Sequence, residues 1–165
     1  MTTARGKTAR RGSIALLATG AALAAALAGC GEDGEQVSAP ELIAKGDELC
    51  RQGQTRFEQI QADVPVNAID AHEQTEELVD VASEELEELR RLRPPDELSD
   101  AYERYLEARG SALELLEQGR DAAADRDADA YAEAQSEVSA DQPERMKLAS
   151  AVGFQVCSRA DGSSG

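Results

Sequence analysis

The chain has 165 residues, with 17 Lys and Arg against 33 Asp and Glu for a formal net charge of −16, one His, three Cys and no Trp. That length allows one domain with short flanking segments. The charge argues against nucleic acid as a partner, since phosphate contacts need clustered Lys and Arg. One His and three Cys leave few ways to build a zinc or di-iron centre, and no metal or cofactor is expected.

Residues 1–29 differ from everything after them. They hold Arg5, Lys7, Arg10 and Arg11 and no acidic residue, and Ile14 to Ala28 is uncharged and rich in Ala and Leu. A basic stretch before a short apolar core is the layout of a secretory signal. The core is short for a spanning helix, and alanine contributes little to insertion. It ends in Leu27-Ala28-Gly29-Cys30, which resembles the bacterial lipobox. Small residues flank the cut, and a Cys is required because its thiol takes the diacylglyceryl group. Cleavage between Gly29 and Cys30 and lipidation of Cys30 are therefore expected. The alternatives are an ordinary secretion signal with an incidental Cys, or an uncleaved anchor helix. Arg10-Arg11 is read as a basic flank and not a twin-arginine signal, because Gly12 and Ser13 follow it.

Removal of residues 1–29 takes away four basic residues and no acidic one, so the mature chain is more acidic still. Two acyl chains anchor firmly where one is marginal. The expected location is the extracytoplasmic face of the cell membrane, with the membrane as partner through the lipid anchor. Residues 30–37 read as the lipidated Cys and an acidic tether.

Residues 38–157 are expected to fold as an all-α, up-down antiparallel four-helix bundle. Ser38-Ala39-Pro40-Glu41 is a capping box with Pro in the first turn, starting a helix that runs to about Ala62. Its stripe is Ile43, Gly46, Cys50, Gly53, Phe57 and Ile60, where the two glycines would let another backbone come close. Pro65 and Asn67 mark a loop. A second helix spans Asp70 to about Arg91, with Thr75, Leu78, Val79, Ala82, Leu86, Leu89 and Leu92 as its apolar positions, and Pro94-Pro95 ends it. A third begins at once with Pro95 in its first turn and buries Leu98, Tyr102, Tyr105, Leu106, Leu113 and Leu116. Asp127 caps a fourth, whose stripe is Tyr131, Ala134, Val138, Met146, Ala149 and Val152. Pro143 falls inside that stripe without breaking its register, which predicts one helix kinked at Pro143 or two in line. Gly153 before Phe154 fits a Schellman stop. Phe154 to Cys157 reads as extended, and residues 158–165 as a disordered tail.

With Cys30 lipidated, Cys50 and Cys157 remain, an even count in an oxidising compartment. Cys50 lies on the buried stripe of the first helix and Cys157 just past the fourth, its antiparallel neighbour. A disulfide between them is expected, stabilising by roughly 4–5 kcal/mol in the chain-entropy model. A redox role is disfavoured, since there is no Cys-x-x-Cys and no basic cluster beside either thiol.

No catalytic constellation is visible. His72 and Glu76, four apart, could share a metal, but no second His completes a site and a solvated helix face explains them better. Glu76, Asp80, Glu84 and Glu88 form a ridge of like charge that could receive a basic partner or hold divalent cations, and more simply reads as a solvated face. There is no Gly-rich phosphate loop and no Gly-x-Ser-x-Gly elbow. Tyr102 and Tyr105, with Tyr131, could line a small pocket, or at helical spacing be bundle core with each hydroxyl at its edge.

Several of these segments together resemble a loose group of uncharacterised actinobacterial lipoproteins. They are the lipobox Leu27 to Cys30, Leu49-Cys50-Arg51, the run Leu89-Arg90-Arg91-Leu92-Arg93-Pro94-Pro95-Asp96-Glu97-Leu98 with Tyr102 and Tyr105 after it, and Val152-Gly153-Phe154-Gln155-Val156-Cys157. The use of Arg over Lys, with only Lys7, Lys45 and Lys147 present, agrees with a GC-rich genome. The resemblance implies a helical, disulfide-closed domain on the outer membrane face and no enzymatic activity. The expected role is a non-enzymatic interaction or envelope-accessory module with an envelope protein as partner. The alternative is a small-ligand- or ion-binding lipoprotein working with a transporter or sensor, which requires a cavity between the helices near Phe57, Tyr102 and Tyr105.

Overall fold

The computed structural model describes residues 36–159. The signal peptide, the Gly29–Cys30 cut, the lipidation site Cys30, the tether up to residue 35 and the tail from residue 160 lie outside the described residues. Four helices make up the fold: α1 (Ala39–Ile60), α2 (Ala68–Arg91), α3 (Asp96–Asp125) and α4 (Ala128–Val152), with no strand among the described residues. They form an up-down four-helix bundle, as expected. α1 packs on α2, α2 on α3 and α3 on α4, while α1 and α4 make no comparable contact. The bundle therefore has one open seam.

Each helix begins where local chemistry satisfies its first N–H groups. In α1 the Glu41 carboxylate accepts from the Ser38 hydroxyl at 2.8 Å and the Ser38 N–H at 3.1 Å. These bonds, the hydroxyl's first, hold the Glu41 pKa below the usual carboxylate value. α2 starts two residues earlier than the sequence indicates, because Asn67 Oδ1 accepts from the N–H groups of Ile69 and Asp70. Asp127 caps α4 by accepting from Ala130 N–H at 3.0 Å. α3 stops at Arg126, which takes the left-handed conformation, φ 60°.

α4 runs as one helix through Pro143. A proline removes the N–H that would bond four residues back, at Ser139. Beside that gap, Arg145 Nη1 donates to the Val138 carbonyl at 3.3 Å and to Asp141 Oδ2 at 2.6 Å. α4 ends as expected at Gly153, φ 103°, with the N–H groups of Gly153 and Phe154 both donating to Ala149.

The core is divided. At the end where α1 starts and α4 stops, Leu42, Leu89, Tyr102, Tyr105, Ala149, Val152 and Phe154 form one buried cluster. Further along, Val79, Ala82 and Leu116 form a second, with Phe57, Leu113 and Val138 packed on it. Beyond that, small residues let the helices close up: Gly119 faces Ala134 and the fully buried Thr75, whose hydroxyl donates to the Ala71 carbonyl at 2.7 Å.

Chain ends are tied to the first cluster. Val37 N–H donates to the Arg93 carbonyl at 2.9 Å, and Gln36 Nε2 donates to the Pro94 carbonyl at 2.9 Å and to Asp96 Oδ1 at 3.0 Å. The last two tether residues thus lie against the α2–α3 loop. After α4 the chain is not extended as the sequence indicates; it folds back through bends and turns over residues 155–159. Asp47, buried on α1, sets this course by accepting from Gln155 N–H at 2.9 and 3.0 Å and from Val156 N–H at 2.7 Å. Ser158, expected to begin the tail, donates its hydroxyl to the Phe154 carbonyl at 2.8 Å.

Phe154 is the plug of this end. It is fully buried, edge-on to Tyr105 at 5.4 Å and to Tyr102 at 6.2 Å between ring centroids. Its ring lies over Gly46, where a Cβ would stand 2.3 Å from a ring carbon. The glycines of the α1 stripe therefore admit side chains and not a second backbone: Gly46 takes the Phe154 ring and Gly53 the Glu85 carboxylate.

Candidate functional site

The open seam carries a cavity of about 230 Å³. α1 contributes Cys50, Gly53 and Phe57 to its wall, and α4 contributes Val138, Arg145 and Met146. The floor comes from Leu78, Ala82 and Glu85 of α2 and from Tyr105, Arg109 and Leu116 of α3. The cavity exists because α1 and α4 stay apart along the seam while the segment after α4 closes one end. There Cys157 and Arg159 complete the wall.

Cys50 and Cys157 Sγ atoms lie 2.09 Å apart, at disulfide distance, with Cα atoms 5.3 Å apart. The expected pair is thus brought together, and it borders the cavity. Gln54 Nε2 donates to the Val156 carbonyl at 3.4 Å, a second link between α1 and the segment that carries Cys157.

The charged side chains of the cavity gather at the disulfide end. Glu85 is buried and pairs with Arg109, Nη2 to Oε1 at 2.8 Å. Arg145 approaches from α4 with its side chain only 15% exposed. Tyr105 Oη lies 3.5 Å from Cys50 Sγ. Burial pushes the Tyr105 phenol up to about 12, opposed by the nearby positive charges of Arg109 and Arg145. Toward the far end the wall is Phe57, Leu113, Leu116 and Val138 of the second core cluster, with Leu78 and the uncharged Gln61, Gln135 and Ser139 beside them.

Of the three sequence-selected pocket residues, Phe57 and Tyr105 line the cavity and Tyr102 does not. Tyr102 is buried behind it, its hydroxyl donating to the Leu89 carbonyl at 2.6 Å. That burial raises the Tyr102 pKa, and Tyr105 nearby raises it further.

The polar layer of Glu85, Arg109 and Arg145 was absent from the sequence reading. The signal was there: Glu85 stands three after Ala82 and four before Leu89, Arg109 four after Tyr105, and Arg145 seven after Val138 and four before Ala149. Each occupies a stripe position, which a solvated charge does not need.

The other sequence candidates are surface features. Glu76, Asp80, Glu84 and Glu88 are all exposed; Glu84 pairs with Arg56 of α1, and Glu88 with Arg91. His72 Nδ1 donates to the Arg120 carbonyl at 3.2 Å, tying α2 to α3. Among the described residues no group of three or more His, Cys, Asp or Glu could hold a metal ion. No described helix is long and apolar enough to cross a membrane.

What fold and site define together is a helical bundle with a two-sided cavity on its open seam. In comparisons with known proteins, no family model, no curated protein and no solved structure matches the chain.

Proposed function

We propose that the protein is a lipid-anchored, extracytoplasmic small-ligand-binding lipoprotein that holds its ligand in the α1–α4 seam without transforming it. The observation that carries this reading is the cavity of about 230 Å³, walled by all four helices. A bundle that served only as a surface would close its seam, since packed interiors leave few voids larger than a water molecule. Keeping Glu85 buried against the partly buried Arg109 beside a cavity is costly for stability alone, because desolvating the charges offsets much of their attraction. Such a layer has a use where a ligand must be oriented. The lipobox supports the anchor, and membership of the lipoprotein group that the sequence resembles is part of the same proposal.

The test is native mass spectrometry of the protein gently extracted from its own membranes. A diacylglyceryl mass on a chain beginning at Cys30 and a stoichiometric small molecule are expected. An unlipidated chain refutes the anchor; a ligand-free chain that takes up nothing from a metabolite extract refutes ligand binding.

The interaction module expected first from the sequence keeps one observation in its favour. Val64, Val66 and Ile69 in and after the α1–α2 loop are 81%, 85% and 58% exposed. If they dock an envelope protein, Val64→Ser with Val66→Ser abolishes in-cell crosslinking from this loop; unchanged crosslinks dismiss that reading.

A further inference from the structure

The two ends of the cavity specify the chemistry of what fits it. The chain has almost twice as many acidic as basic residues, yet the lining holds three guanidiniums, Arg109, Arg145 and Arg159, and one carboxylate, Glu85. Asp141, which pairs with Arg145, and the buried Asp47, whose charge reaches Tyr105, stand just outside the lining and bring the count level, but Asp47 is taken up by the Gln155 and Val156 N–H groups. Glu85 is matched by Arg109 at 2.8 Å. Arg145 engages Val138 and Asp141 through Nη1 alone in both bonds, and a guanidinium carries five N–H donors in a fork that suits a carboxylate. The Tyr105 hydroxyl stands at this same end.

At the other end the lining carries no charge: apolar side chains stand beside the neutral polar groups of Gln61, Gln135 and Ser139. Phe57, Leu113, Leu116 and Val138 offer rings and branched chains with no charge among them. From Arg109 to Leu116 is seven residues of helix, about 10 Å along the axis. A dry apolar cavity of about 150 Å³ accepts a benzene ring, so about 230 Å³ accommodates a ring with a short acidic arm.

Resting on the ligand-binding reading, we propose that the seam binds a small monocarboxylate with an apolar body, such as an arylalkanoic acid. The carboxylate lies at the disulfide end against Arg145 and the Tyr105 hydroxyl. The apolar body lies against Phe57, Leu113, Leu116 and Val138. Arg109 is the positioning residue that holds Glu85 away from the incoming anion. The disulfide fixes the polar end by joining α1 to the segment that carries Cys157 and Arg159.

The experiment uses the full chain in nanodiscs of zwitterionic lipid, titrated calorimetrically with three probes of one shape: 3-phenylpropionate, 3-phenylpropan-1-ol and 3-phenylpropylamine. The acid is expected to bind one-to-one and at least about tenfold more tightly than the alcohol, the amine weakest, as charge-assisted pairing requires. Arg145→Gln removes the acid's advantage, so that acid and alcohol bind that variant alike, and Arg145→Lys restores part of the advantage. Val138→Phe, with its helix content checked by circular dichroism, fills the apolar end and abolishes binding of both. Equal affinity for acid and alcohol, or preference for the amine, overturns the carboxylate assignment while leaving ligand binding intact. No binding of any probe up to ~10 mM overturns the assignment, while the ligand-binding reading itself falls only if the chain also takes up nothing from a metabolite extract.

Discussion

Replacing Gly46 by Ala sets two effects of known sign against each other. In a helix interior Ala is favoured over Gly by about 0.5–1 kcal/mol. At Gly46, however, the new Cβ would stand 2.3 and 2.5 Å from two carbons of the Phe154 ring. That ring cannot swing aside, because it is fully buried and wedged edge-on between Tyr102 and Tyr105. Overpacking of this kind costs about 1–3 kcal/mol, so Gly46→Ala is expected to destabilise by about 1–2 kcal/mol net. Gly110 is the control: its added Cβ meets nothing nearer than Arg90 Nη2 at 3.6 Å, ordinary contact. Gly110→Ala is therefore expected to stabilise by about 0.5–1 kcal/mol. Urea unfolding of the oxidised chain, followed by far-ultraviolet circular dichroism, measures both. Equal or greater stability for Gly46→Ala, or equal losses at the two positions, refutes the argument that Phe154 occupies this gap.

Four further outcomes follow from the same packing. Arg126→Gly relieves a left-handed residue at the end of α3 and is expected to raise stability by about 0.5–1 kcal/mol, read as a higher urea midpoint. Asp47→Ala removes three bonds to the segment after α4 and is expected to cost about 2–3 kcal/mol, with faster hydrogen exchange at the Gln155 and Val156 amides. Cys50→Ser with Cys157→Ser is expected to lower stability by about 2–5 kcal/mol in the same unfolding assay. The raised pKa values of Tyr102 and Tyr105 disfavour their ionised forms in the folded chain. Their contribution is fully present below the unfolded phenol value near 10 and is lost as pH rises from there through about 12. Phenolate absorbance assigned with Tyr102→Phe and Tyr105→Phe should therefore rise together with loss of helix signal.

The helices were legible because their stripes repeat at helical spacing and their ends carry local signals, such as the Ser38–Glu41 box and Gly153 before Phe154. Even the Cys50–Cys157 pairing could be read, since the up-down order brings α1 beside the end of α4. The cavity was only half legible. Phe57 and Tyr105 stood out as aromatics on stripes, but Tyr102, spaced just as well, proved to point its hydroxyl at the Leu89 carbonyl. No pattern in one helix tells which side of a neighbouring helix a ring will meet. Glu85, Arg109 and Arg145 were lost among 30% charged residues, where a buried charge differs from a solvated one only by its partner on another helix. Asp47 was hidden for a related reason: its partners are backbone N–H groups more than a hundred positions away, and backbone groups leave no mark in a sequence.

The Cys50–Cys157 link also decides how the chain carries tension. The two residues are 107 positions apart, and Cys50 lies about three turns into α1 at 3.6 residues per turn. A pull between the two ends of the chain therefore crosses from the third turn of α1 directly to the segment after α4. The rest of α1, all of α2 and α3, and α4 lie in a closed ring outside the line of force. At about 3.5 Å per extended residue, that ring withholds about 370 Å of contour length until the disulfide is reduced. Under a pull between its ends, only the first turns of α1 and the short stretch after Cys157 stand in the line of the load, and the Phe154 side chain seated over Gly46 is what holds those turns to the closed ring.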